Sequence, residues 1–398
     1  MGERLRFDPR DSSLFVDGRR ESTFAQLRES DGLAVDREGP VPIYSLVRYA
    51  EVERAYKEAD VFSPGAGLTL DAFDPEAYET PSRMLETARP DLHRALKGAM
   101  QGSFRGDGLA AIRAEMEARV DRFLTQAAGG EVEFVGAFAR AAGTAAMLGL
   151  LGVPTAAAER LTPALNAIGE LDFGGSPGAM RQRQQTELRV LRELARAVRD
   201  CHRTGGADGL IGALLEAEVE GQPLSEREVA LNCFNVAIAG TGASQHTLAA
   251  AAAVWADHGL EPAAAGDPKR RRQAVDETLR WLTPVLHLTR ILTADVEIAG
   301  QQLPRGAGVC LWNISANRDE DVFEDAARFD PDRPPGRNLA FGAGPQYCLG
   351  AEAIRTQLDA LLAGIARHGV RFELTAPPRR IPSNAIAAVA ALRLRVDR

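Results

Sequence analysis

Along the first sixty positions the spacing of apolar residues changes character. PVPIYSLV (40–47) is a short apolar run of strand type, whereas YAEVERAYKEA (49–59) repeats its apolar residues at helical spacing. A Pro- and Gly-punctuated stretch, SPGAGLTLDAFDPEAYETPS (63–82), then predicts a long loop. From about Asp91 to Gly259 helical periodicity dominates, as in DGLAAIRAEMEARVDRFLTQA (107–127) and RQRQQTELRVLRELARAVRDCHR (181–203), with the glycine-rich LDFGGSPGAM (171–180) reading as a hinge. After Glu277 the texture shifts to short strand-like runs, DVEIAG, GVCLWNIS, VRFEL and LRLRV. No repeat is present, and the absence of regular βαβ alternation favours a mainly α, α+β fold over a doubly wound sheet.

Composition narrows this picture only slightly. A chain of 398 residues with 45% hydrophobic and 26% charged residues suits a globular protein. The longest apolar run, LAAAAAVWA from Leu248, is far short of the ~18 residues of a membrane span, and the N-terminus lacks a signal-peptide core, so a cytoplasmic, membrane-free protein is expected. The net charge of −8 argues against nucleic acid as a partner, with the basic run at Lys269–Arg272 reading as a solvated helix start. Cys201, Cys233, Cys310 and Cys348 are scattered without metal-finger or disulfide spacing. Of the four, Cys348 stands apart: it lies among glycines in LAFGAGPQYCLG, directly before a helical run, where N–H groups and the helix dipole stabilise a thiolate.

Three separated motifs share one explanation. FGAGPQYCLG (Phe341 to Gly350) resembles the haem-ligand loop of the cytochrome P450 family, ETLR (Glu277 to Arg280) resembles its ExxR motif, and FDPDR, ending at Arg333, resembles the meander that completes a Glu-Arg-Arg cluster. The similarity runs from RPDLHRALKGAM through SANRDEDVF to the end of the chain. It implies the cytochrome P450 fold, one haem-thiolate domain over 1–398, and haem b as cofactor with Cys348 as its thiolate ligand. It further implies that Phe341, Gly342 and Gly350 shape the loop around the haem, that His93, Lys97 and Arg290 hold its propionates, and that Gln346 stands where the family often has histidine. Glu277, Arg280 and Arg333 take a structural role; Val285, Leu286 and Ile386 are candidate apolar pocket residues. TLDAFDPEAYET, LDFGGSPGAM, TPVLHLT and SNAIAAVA are expected around a small organic substrate, which the resemblance makes a natural product. The expected electron donor is a ferredoxin or flavodoxin, and the expected state a monomer.

The informative departure is in NVAIAGTGASQHTLAAA, from Asn235, which resembles the family's distal helix. Where the pattern calls for an acid and a threonine, this chain has Ala239, Gly240, Thr241, Gly242 and Ala243. Oxygen activation by such enzymes needs protons delivered at the distal face. At about 100° per residue Val236, Ala239, Gly240, Ala243 and Thr247 share one face, with His246 about 60° and Ser244 about 100° away. Four readings stay open: proton delivery assisted by the substrate; an oxidation such as coupling, cyclisation or desaturation; use of peroxide or nitric oxide, including nitration; or a relay rebuilt from Ser244, Gln245 or His246. A non-catalytic haem-binding sensor is the competing class.

Overall fold

The computed structural model describes residues 7–30, 33–79, 82–168, 177–206, 208–260 and 266–398. It is helix-rich with small sheets. Helices α1 (Arg20–Glu29) and α2 (Tyr49–Lys57) precede α3 (Pro90–Met100), α4 (Gly106–Ala127), α5 (Arg140–Leu151), α6 (Thr155–Ile168), α7 (Pro177–Thr204) and α8 (Gly209–Leu215). The longest, α9 (Glu226–Asp257), starts at a capping box in which Ser225 and Glu228 satisfy each other's backbone N–H groups. It is followed by α10 (Pro268–Leu282), the four-residue α11 (Asn313–Ala316) and α12 (Ala351–His368).

Helix α9 runs through the interior. From Thr247 to Trp255 every residue is buried, which explains why its alanine-rich sequence lacks amphipathic contrast. Helices α5, α6, α7 and α8 pack against it on one side, and α10 and α12 on the other. Gly143 on α5 permits a close approach of the two backbones, since a Cβ there would lie 3.0 Å from the Gln245 backbone nitrogen.

Strands β1 (Leu33–Asp36), β2 (Ile43–Leu46) and β3 (Phe62–Ser63) come from the N-terminal segment, and β4 (Glu131–Glu133), β5 (Glu218–Val219) and β6 (Gln222–Pro223) from between helices. Then come β7 (Leu288–Leu292), β8 (Val296–Ile298), β9 (Gln301–Leu303), β10 (Gly308–Leu311), β11 (Arg371–Leu374), β12 (Arg379–Arg380), β13 (Val389–Ala391) and β14 (Arg393–Asp397). The largest sheet has the order β1-β2-β10-β7-β3. The strand read through GVCLWNIS ends at Leu311, because Trp312 turns inward among Phe7, Phe15, Phe24 and His287 and Asn313 begins α11. The stretch 63–82 is mainly loop, with short 3-10 turns at Leu70–Ala72 and Pro75–Glu79. The expected hinge at 171–180 lies largely outside the described residues. Among the described residues no helix is long and apolar enough to cross a membrane.

Candidate functional site

A cavity of about 280 Å³ lies between α9, α3, α12 and the loop before α12. Its walls are mostly apolar: Leu68, Leu85, Phe104, Met147, Val236 and Leu288 are among them. Cys348 opens onto it. The other three cysteines are buried elsewhere and free. Surrounding protein pushes the Cys348 thiol pKa up, opposed by the N–H groups of Gly350 and Ala351 and by Lys97 and Arg355.

The loop that presents Cys348 is shaped by two left-handed glycines, Gly342 (φ 68°) and Gly344 (φ 65°). Besides that turn, they make room for α2: a Cβ on Gly342 would sit 3.1 Å from the Tyr56 ring, and one on Gly344 3.0 Å from the Lys57 backbone. Phe341, Gly342 and Gly350 all line the cavity, and the Phe341 carbonyl accepts the Cys348 N–H at 3.0 Å.

Cationic and polar groups gather at one edge of this space. His93 and Lys97 are one turn apart on α3, Arg290 is on β7, and Gln346 is in the loop; all four border the cavity. Lys97 Nζ donates to the carbonyls of Pro345 and Tyr347, each at 2.7 Å. Arg290 is buried, donates to Gln346 Oε1 at 2.9 Å, and has no hydrogen-bond partner at Nε. Burial and the charges of Lys97, Arg290 and Arg94 hold the His93 pKa down, to about 4.

Behind the loop, Arg280 Nε and Glu277 Oε2 pair at 2.7 Å, and Arg333 Nε lies 3.1 Å from the same carboxylate. Arg280 also donates to the carbonyls of Asn317, Ala326 and Arg328. Asn317 in turn accepts the Leu339 N–H at 2.6 Å, which ties the cluster to the start of the cysteine loop.

On α9, the face drawn from helical geometry is the one that meets the cavity: Val236, Ala239, Gly240, Ala243 and Thr247 all line it. Ser244 joins them, and its hydroxyl accepts from Gln357 Nε2 at 3.2 Å. Gly242 is not among the lining residues. His246 also turns away; its Nδ1 accepts the Val389 N–H at 3.3 Å, and burial lowers its pKa to about 4. Of the pocket candidates, Val285 lines the cavity, Leu286 is packed in a separate core with Trp312, and Ile386 pairs with Val285 in an isolated bridge behind the wall. Sequence reasoning missed Glu86, Asn235 and Gln357, all at the cavity. Gln357 carried a readable signal, since it follows Cys348 by nine positions on a helix beginning at Ala351; Glu86 sits in a three-residue 3-10 turn, Leu85–Thr87, too short to show a period, and carried none.

A family model for cytochrome P450 matches residues 272–389. The methyl-branched lipid omega-hydroxylase of Mycobacterium bovis is 28% identical over 88% of this chain and 83% of that protein. The cyclomarin C epoxidase of Salinispora arenicola is 29% identical over 86% of this chain and 88% of its own length. The chain belongs to the cytochrome P450 family. The solved P450 OxyD, involved in the biosynthesis of vancomycin-type antibiotics, superposes with a TM-score of 0.87 at 23% identity, covering 98% of this chain and all of that one, and so shares its fold. This P450 is therefore an oxidoreductase of monooxygenase type, and its family implies a haem-thiolate cofactor. The residues present suit that group: a thiol opening onto a large apolar cavity, cations at one edge, and an orphaned buried Arg290 Nε.

Proposed function

We propose that this P450 oxidises a small organic substrate, of natural-product type, at a haem b held through the Cys348 thiolate. Arg290, His93, Lys97 and Gln346 would hold the propionates, because buried carboxylates need cationic or N–H partners. Thiolate-ligated haem supplies the electron density that favours O–O cleavage. The observation that carries the reading is Cys348 facing the cavity across from the small-residue face of α9. The natural-product assignment is supported by relatives such as the cyclomarin C epoxidase. Electrons would come from a ferredoxin- or flavodoxin-type carrier, as the family resemblance implies.

The missing acid and threonine shape the chemistry. Ala239, Gly240 and Ala243 offer no exchangeable proton to the cavity, whereas Ser244, Thr247 and Gln357 do. Thr247 Oγ1 and Gln357 Oε1 are buried without a hydrogen-bond partner, so this polar corner is suited to ordered water. Proton delivery would then depend on that corner or on a polar group of the substrate, and a non-hydroxylating oxidation would need it less. His246, facing β13, is not placed to take part.

The test is the reduced carbon monoxide spectrum. Wild type should show the strongly red-shifted Soret band of thiolate ligation, as should Cys201→Ala, Cys233→Ala and Cys310→Ala. Cys348→His retaining that band would overturn the assignment.

A further inference from the structure

Glu86 is the only carboxylic side chain among the described residues lining the cavity. It lies directly after Leu85, which donates its backbone N–H to Asn232 Oδ1 at 2.9 Å, so α9 fixes this part of the loop. Asn235, one turn further along α9, also lines the cavity and lowers the Glu86 carboxyl pKa. Asn232 donates back to the Arg83 carbonyl at 3.0 Å and closes the clamp. Glu86 is therefore held at a defined place.

Among the described residues no cation lies at ion-pair distance from Glu86. Among the described residues the charged groups that act on it come from α7: Arg183, whose Nε is bonded to Glu187 at 2.7 Å, and Glu187 itself. Burial pushes the Glu86 carboxyl pKa up, with Glu187 adding to the rise and Asn235 and Arg183 opposing it. A carboxyl in mostly apolar walls is costly to ionise unless a cation arrives with the ligand.

We propose that Glu86 and Asn235 form the recognition site for a protonated amine of the substrate. This rests on the reading of the cavity as a P450 substrate site and narrows the substrate class. Asn235 and Ala243 are eight positions apart on α9, on the order of 12 Å along the helix axis. The ammonium group thus binds roughly that far from the oxidised carbon, with apolar framework between Leu85, Met147, Val236 and Leu288. The cations Lys97 and Arg290 adjoin the Cys348 loop, bonded to Pro345, Tyr347 and Gln346, and leave Glu86 to the ligand.

The experiment uses the full-length holoenzyme and isothermal calorimetry with four probes: 6-phenylhexyl-trimethylammonium, its uncharged tert-butyl isostere, a 6-phenylhexanol and a 7-phenylheptanoate. A quaternary nitrogen cannot ligate iron, so binding reports the remote site. Wild type should bind the cation at least ten-fold more tightly than the isostere and the carboxylate most weakly. Glu86→Gln should reduce the cation's affinity to that of the isostere while leaving the isostere unchanged. Equal binding of cation and isostere, tighter binding of the alcohol, or a cation preference that survives in Glu86→Gln would each overturn the proposal. The carbon monoxide spectrum of the same preparation separates the two readings: a thiolate band without cation preference rejects only the Glu86 assignment, and a lost band with the preference intact rejects only the Cys348 ligand.

Discussion

His287 ties together two segments that are distant in the chain. Its Nε2 accepts the Leu70 N–H at 3.1 Å, so the ring proton sits on Nδ1 and is donated to the Asn384 carbonyl at 2.8 Å. Protonation would remove the acceptor, and burial accordingly lowers its pKa to about 4. An unfolded histidine titrates near ~6.5. Between these values the unfolded chain binds more protons, so stability falls as pH drops from ~6.5 towards ~4, by about 1.4 kcal/mol per unit for each such histidine. His246 adds in the same direction and window. Urea midpoints measured between pH 7 and pH 4.5 should decline, and His287→Asn should flatten that decline by about one proton; an unchanged slope would contradict the assignment. None of this was visible in the sequence, where His287 was one residue of a presumed substrate segment. Its two partners are 217 and 97 positions away.

At the scale of the element, α9 shows what periodicity alone can deliver. Side-chain direction in a regular helix is fixed by the 100° step, so the cavity face was legible before any fold was known. What borders the other faces was not. Gly240 faces Met147: a Cβ would lie 1.9 Å from the mobile end of that side chain, which can move aside. Gly143 faces α9 backbone and the Ser244 Cβ at 3.1 Å, which cannot move independently. Gly143→Ala should therefore cost about 1–3 kcal/mol, and Gly240→Ala less, as read from denaturant midpoints of the two variants. The distal chemistry is testable on the same helix. With an apolar surrogate substrate, wild type should release much of its reducing equivalents as peroxide, while Ala243→Thr should raise the share ending in product, because its hydroxyl would enter the cavity. Adding Gly242→Asp should contribute less, since Gly242 does not line it. Tight coupling of wild type on the surrogate, lost in Ser244→Ala, would instead identify the Ser244–Gln357 corner as a complete relay.

The whole molecule depends on a buried charge cluster. Glu277 receives the Arg280 guanidinium and the Asp330 N–H, at 2.9 Å, and pairs with Arg333. Through Arg280 and Asn317 this joins α10, the segment around 317–333 and the cysteine loop. Removing the carboxylate leaves Arg280 buried beside carbonyls alone, which costs roughly 3–5 kcal/mol by comparison with other broken buried pairs. Glu277→Ala should therefore purify with low haem content. Full haem content with only a slower turnover would show instead that the carboxylate acts in catalysis.

The sequence by itself determined the helix-rich class, the family, the loop around Cys348 and the inward face of α9. The family rests on the resemblance of three motifs; the helix-rich class and the inward face of α9 are carried by local spacing, which backbone geometry converts directly into side-chain placement. Local spacing also brought Glu277 and Arg280 together, three residues apart on one helix. Only the tertiary structure decided that His246 faces β13, that Leu286 belongs to the Trp312 core while Val285 reaches the cavity, and that Glu86 enters it beside Asn235. Those outcomes depend on which distant segment covers each face. Glu86 and Asn235 are 149 positions apart, and no period within either segment encodes the other; burial against the rest of the chain is what selects the contact.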